Sequence, residues 1–213
     1  LTGYGLTLED LKEFRQLGSL TPGHPEVGHT PGVEVTTGPL GQGFANAVGM
    51  AISERWLREK FGAENISHNV FVICGDGDLS EGVSHEAASL AGSQQLGNLI
   101  CIYDDNHITI DGPTELSLAD DAAKRFEAYG WNVIDLGESG EDLDVIENAL
   151  LEGKSNTTSP TIIILRTHIG HPSPTLTDSP SAHGYAFKDK ESIEACLLYT
   201  SPSPRDVSRS RMP

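Results

Sequence analysis

The sequence predicts an α/β fold, a parallel sheet with helices on both faces, and two observations carry that prediction. Apolar runs of strand length recur at 70–74, 99–104, 132–136 and 161–165. Amphipathic segments of helix length fall between them, near 82–95, 119–129 and 141–151. No Gly-x-Gly-x-x-Gly follows the first strand, which argues against a nicotinamide-type dinucleotide domain. Strands covered on both faces read as continuous apolar runs rather than alternations, and the intervening helices serve as the crossovers that keep the strands parallel.

Taken in order, the first element is a short helix over Thr7–Leu17. Thr7 can cap it, Asp10 stands three residues on, and Leu8, Leu11 and Phe14 recur at helical spacing. From Thr21 to Pro39 prolines and glycines impose loops. Thr37-Gly38-Pro39 then marks a helix start, with proline tolerated in the first turn, and the helix runs to about Phe61 with Phe44, Val48, Ile52 and Trp56 on one stripe. The strand Val70–Cys74 leads straight into Gly75-Asp76-Gly77. The next strand, Leu99–Asp104, ends at Asp105-Asn106, and Asp105 lies 28 residues after Gly77.

Both of these ends fall where open parallel sheets bind ligands, just beyond the carboxyl termini of the strands. Glycines let the backbone turn tightly there, Asp76 supplies a hard oxygen, and the Asn106 side-chain carbonyl is a natural second ligand. Magnesium takes few protein ligands and completes its shell from water and substrate phosphates, so an Asp plus an Asn suits a metal-bridged diphosphate. Gly-Asp-Gly alone is also a common turn, and the reading depends on its neighbours.

Those neighbours resemble the transketolase family. The stretches Thr21-Pro22-Gly23-His24-Pro25-Glu26, Gly32–Gly43 and Tyr103–Gly112 carry the resemblance, with Glu81-Gly82, Ser89–Gly92 and Glu127–Trp131. It runs from about residue 1 to 195 in one order. The chain is thus identified as a partial N-terminal thiamine diphosphate-binding domain. The family transfers a two-carbon ketol unit from a ketose phosphate to an aldose phosphate.

At matching positions the resemblance implies that Asp76, Asn106 and the backbone carbonyl of Ile108 bind Mg²⁺ or Ca²⁺. Gly75 and Gly77 lie at the diphosphate, while Gly38, Pro39 and Leu40 line the thiazolium pocket. His24 and His183 are the catalytic candidates, His24 in the substrate-channel loop and His183 at the diphosphate. Glu81 links the two cofactor sites at a subunit interface. The chain departs from the common His-x-x-His-Gly pattern, because Pro180 stands at the first histidine position; this leaves His171 and His183 as alternatives for the diphosphate contact. His107 replaces a frequent lysine or arginine and reads as a surface residue. The aminopyrimidine-binding domain, with its activating glutamate, and a further N-terminal segment are expected outside these residues, and homodimerisation is expected to run through that domain. By this reading the fragment does not catalyse alone.

Residues 196–213 are of a different kind. Cys196-Leu197-Leu198-Tyr199-Thr200-Ser201-Pro202-Ser203-Pro204-Arg205-Asp206 resembles a translated sequencing adapter, so this segment is expected to be non-native and is left out of the fold. The whole chain carries a formal net charge of −17, and without that segment it has 11 basic and 30 acidic residues, net −19. Such a balance argues against nucleic acid and anionic membrane partners, and any phosphate site must rest on metal and local groups. Cys74 and Cys101 sit in apolar strands and read as buried free thiols. With no secretory or membrane-spanning run, the expected location is cytoplasmic. Three alternatives stay open: a related enzyme of the same family with other sugar-phosphate residues, a genuine N-terminal subunit of a split enzyme, and a non-catalytic cofactor-binding module. The last is disfavoured by the retention of Asp76, Asn106 and His24.

Overall fold

The computed structural model describes residues 4–184 and 187–200, with side chains described as far as Ala195. Helix α1 covers Leu8–Lys12 and α2 Gln42–Phe61; then follow β1 Val70–Gly75, α3 Asp76–Ser80 and α4 Gly82–Ser93. Strand β2 covers Leu99–Asp105, and the short pair β3 Ile108–Thr109 and β4 Gly112–Pro113 leads to α5 Ala122–Ala128. The remaining elements are β5 Asn132–Asp135, α6 Leu143–Ser155, β6 Thr161–Arg166 and α7 Lys190–Thr200.

Four strands pair in the order β1-β2-β6-β5, all parallel. Side chains from α2, α4 and α5 share one cluster with Val70, Cys74, Leu99, Cys101, Tyr103, Ile162 and Ile164. Ala149 of α6 packs on the opposite face, with Ile100 and Ile163. Alternate residues of β2 and β6 therefore serve two cores, which explains their continuous apolar sequence. The aromatic centre of the first cluster is Phe126, T-shaped against Trp131 at 5.0 Å and against Phe44 at 6.2 Å.

Two boundaries and the facing of one helix residue differ from the sequence expectation for physical reasons. Helix α1 has the expected Thr7–Asp10 capping box but stops at Lys12, and Arg15 adopts φ 63°, outside the helical region. Helix α2 begins at Gln42, three residues later than Pro39, because Gly41 takes the left-handed φ of 76° and stands as its N-cap. Trp56 is 59 % exposed, with Lys60 Nζ 4.7 Å from its ring centroid, rather than part of the buried stripe. A spacing of four advances roughly 40° per step on a helix, so by the third step Trp56 has rotated roughly 120° from Phe44. The buried face of α2 is Phe44, Ala47, Val48, Ala51 and Glu54. Cys74 and Cys101 are free and buried, as expected.

The backbone of α7 runs through Thr200, across the expected boundary at 195; residues 201–213 lie outside the described residues. Among the described residues no helix is long and apolar enough to cross a membrane.

Candidate functional site

The strand register brings the predicted ligands to one edge. Gly75 is level with Asp104, and Asp105 with Arg166, so Asp76 and Asn106 leave neighbouring strands at the same end of the sheet. Helix α3, which starts at Asp76, packs against β3, which starts at Ile108. A cavity of about 290 Å³ opens there, lined among others by Asp76, Tyr103, Asp105, His107, Thr114 and Arg125.

Asp76 is 5 % exposed. Its Oδ1 accepts a 2.6 Å hydrogen bond from the Tyr103 hydroxyl, while its Oδ2 is buried with no partner among the described residues. Burial holds the Asp76 carboxyl above its usual value; the Tyr103 hydrogen bond opposes that shift and the nearby Asp105 charge adds to it. Burial, with the bond to Asp76, raises the Tyr103 phenol as well. An ionised carboxylate with one unmet oxygen, beside Asp105, is a strong candidate for a cation. Arg125, the cavity's guanidinium, is paired with Asp120 at 2.6 Å.

Asn106 is pinned beside it. Its Oδ1 accepts from the Ile108 amide at 3.0 Å and its Nδ2 donates to Asp104 Oδ2 at 3.2 Å. The Ile108 side chain is buried, which fixes the following backbone. Among the described residues no group of three or more His, Cys, Asp and Glu side chains is arranged to hold a metal. A cation here would thus rely on Asp76, an amide oxygen, a main-chain carbonyl and non-protein ligands, the donor set that suits magnesium.

The other predicted residues gather in part. A Cβ on Gly77 would meet Leu40 Cδ1 at 3.3 Å, and one on Gly38 would meet His24 Cβ at 3.2 Å, so Leu40 caps the turn and His24 lies over Gly38. His24 is exposed. Glu81 is exposed at the start of α4, and its Cβ lies 3.0 Å from the place a Cβ on Gly41 would take. His183 has a buried Nδ1 with no partner, and among the described residues it makes no hydrogen bond to Asp76 or Asn106. His107 is exposed as read, yet its Nε2 stands 3.2 Å from Asp105 Oδ1 and it lines the cavity with Asp76.

Sequence reasoning missed Asp78 and Tyr103. Asp78 accepts from the Gly41 amide at 2.9 Å and the Gly75 amide at 3.0 Å, tying the loop before α2 to the turn after β1. The signal for half of this was present, since an acid three residues after an N-cap reaches back to the cap amide. The Tyr103 bond crosses between strands and leaves no trace in local spacing.

A family model described as "Transketolase, thiamine diphosphate binding domain" matches residues 1–199. The chain is 58 % identical over 195 residues to the transketolase of Aquifex aeolicus, covering 90 % of this chain and 28 % of that protein. It is 53 % identical over 194 residues to transketolase 1 of Pasteurella multocida, again 90 % of this chain but 29 % of the relative. Among solved structures, a transketolase mutant from Pichia stipitis superposes with a TM-score of 0.90 at 41 % identity, covering 98 % of this chain and 32 % of that one. The transketolase of Campylobacter jejuni gives 0.80 at 48 %, covering 85 % and 28 %. The chain therefore spans about 28 % of the length of the first curated relative. With a parallel sheet, a buried aspartate at its carboxyl edge and a family match across residues 1–199, this chain belongs to the transketolase family as its thiamine diphosphate-binding domain.

Proposed function

We propose that the protein to which this chain belongs is a thiamine diphosphate-dependent transketolase, moving a two-carbon ketol unit from a ketose phosphate to an aldose phosphate. The observation that carries the reading is the buried Asp76 Oδ2 without a partner. Asp76, Asn106 and the Ile108 carbonyl would hold Mg²⁺, or Ca²⁺, and through it the diphosphate. Gly75 and Gly77 allow that group to come close to the backbone, and Gly38 and Leu40 shape the wall beside it. When bound, thiamine diphosphate supplies the nucleophilic carbon and the electron sink for cleaving and forming the C–C bond. His24, exposed beside Gly38, moves protons at the sugar hydroxyls, and His183, whose Nδ1 has no partner among the described residues, donates toward the diphosphate. Glu81 joins the two sites of a homodimer. The sugar-phosphate contacts and the aminopyrimidine site lie in the remaining length of the protein, and the working location is the cytoplasm.

Equilibrium dialysis tests the reading directly. The chain is expected to retain thiamine diphosphate when Mn²⁺ is present and to release it with excess EDTA. Retention independent of metal, or none under either condition, would overturn the metal-bridged reading. The chain alone is expected to give no ketol transfer from xylulose 5-phosphate to ribose 5-phosphate; measurable turnover would mean that residues 1–195 contain the whole site.

A further inference from the structure

The fold treats the two carboxylate oxygens of Asp76 differently. Oδ1 receives the Tyr103 hydroxyl at 2.6 Å, and Oδ2 has no partner among the described residues. Tyr103 stands on β2 level with Cys74, so its phenol reaches the residue two places beyond its cross-strand neighbour. The side chain is 6 % exposed and packed into the cluster that holds Cys74, Cys101 and Leu79, which leaves it little freedom to change rotamer. Its single proton faces two acceptors, Asp76 Oδ1 at 2.6 Å and Asp105 Oδ1 at 3.2 Å, and the shorter contact takes it.

We infer that Tyr103 is a positioning residue that makes Asp76 a one-oxygen ligand: with Oδ1 held by the phenol, only Oδ2 is offered to a divalent cation. This rests on the metal reading proposed above and adds a consequence for selectivity. Mg²⁺ is content with single carboxylate oxygens in an octahedral shell completed by water, whereas Ca²⁺ readily takes both oxygens of one carboxylate in a larger shell. Tyr103 therefore biases the site toward Mg²⁺. Removing the hydroxyl frees Oδ1, so that Asp76 can turn both oxygens to the larger ion.

The experiment is Tyr103→Phe in the 213-residue chain. Mn²⁺ binding is followed by electron paramagnetic resonance, with Mg²⁺ and Ca²⁺ as competitors and far-UV circular dichroism as the check on folding. The ratio of Ca²⁺ to Mg²⁺ affinity is expected to rise about tenfold, the low end of what residues behind a ligand contribute. An unchanged ratio, including equal weakening for both ions, overturns the inference, since loss of a merely structural bond would not discriminate between them. A wild-type chain that binds no Mn²⁺ defeats the metal reading itself, and this inference with it. Should the variant not fold, 3-fluorotyrosine in the wild-type chain gives a second reading. The Tyr103 fluorine resonance is expected to move more on Ca²⁺ than on Mg²⁺ addition, and identical shifts for the two ions overturn the inference.

Discussion

The turn after β1 and the loop carrying His24 lie side by side, yet they are held in opposite ways. The turn is fixed by bonds between residues far apart in the chain: Tyr103 to Asp76 across 27 residues and Gly41 to Asp78 across 37. The loop from Thr21 to Leu40 is held mostly by near neighbours, with Val27 N donating to Thr36 Oγ1 and Thr30 Oγ1 to the Leu20 carbonyl. Apolar side chains around it stand open, Phe14 at 54 % and Leu40 at 53 % exposed. Long-range bonds to buried strands give a geometry that the domain enforces by itself. Short-range bonds under exposed apolar groups give one that depends on what packs against it. The Asp76 half of the candidate site is thus held by this domain itself, and the histidine half relies on further contacts.

The largest effect that could break this comparison is at Asp76. Asp76→Asn keeps the Oδ1 acceptor for Tyr103 but removes the charge, and Mn²⁺ affinity is expected to fall about 100-fold or more, beyond what residues behind a ligand cause. The same change should stabilise the metal-free chain at neutral pH. Burial raises the Asp76 carboxyl, so just above the ordinary carboxyl range the folded chain holds a proton that the unfolded chain has lost. Metal-free stability therefore falls as pH rises through that window, and Asp76→Asn should abolish this component, so its metal-free Tm at neutral pH should lie above that of the unsubstituted chain. A metal-free Tm that drops in Asp76→Asn at pH 7 would show that the charge is compensated after all.

Next in size is Asp78→Ala, which leaves two amides without their carboxylate. Urea denaturation should show a loss of about 2–3 kcal/mol, and Mn²⁺ binding should weaken because Gly75 and Gly41 are released. The smallest effect is expected at His24→Ala. Its side chain is exposed, so stability should change by less than about 0.5 kcal/mol and Mn²⁺ affinity should not move. A large stability loss at His24 would erase the contrast between the two regions.

Much of the fold was legible because parallel strands buried on both faces advertise themselves as apolar runs, as Leu99–Tyr103 and Thr161–Leu165 do. The turn at Asp76 was legible because glycines flank it. Helix phase was less so: equal spacing placed Trp56 with Phe44, although the 3.6-residue period carries it to solvent. What stayed hidden were the groups behind the site. Asp104 receives both Asn106 Nδ2 and the Thr167 hydroxyl, the latter from 63 residues away. Such pairings are decided by strand register, which is a property of the assembled sheet rather than of any short stretch of sequence.

The Cys74 and Cys101 sulfurs lie 3.4 Å apart in the core, and Cys74 directly precedes the Gly75–Asp76 turn. A thiol so placed can react with an aqueous reagent only when the sheet edge opens. Its labelling rate, read in a Cys196→Ser background, then becomes a clock for breathing of the domain at the cofactor edge. That clock should slow when Mn²⁺ and thiamine diphosphate are added together, giving a binding assay that needs no turnover.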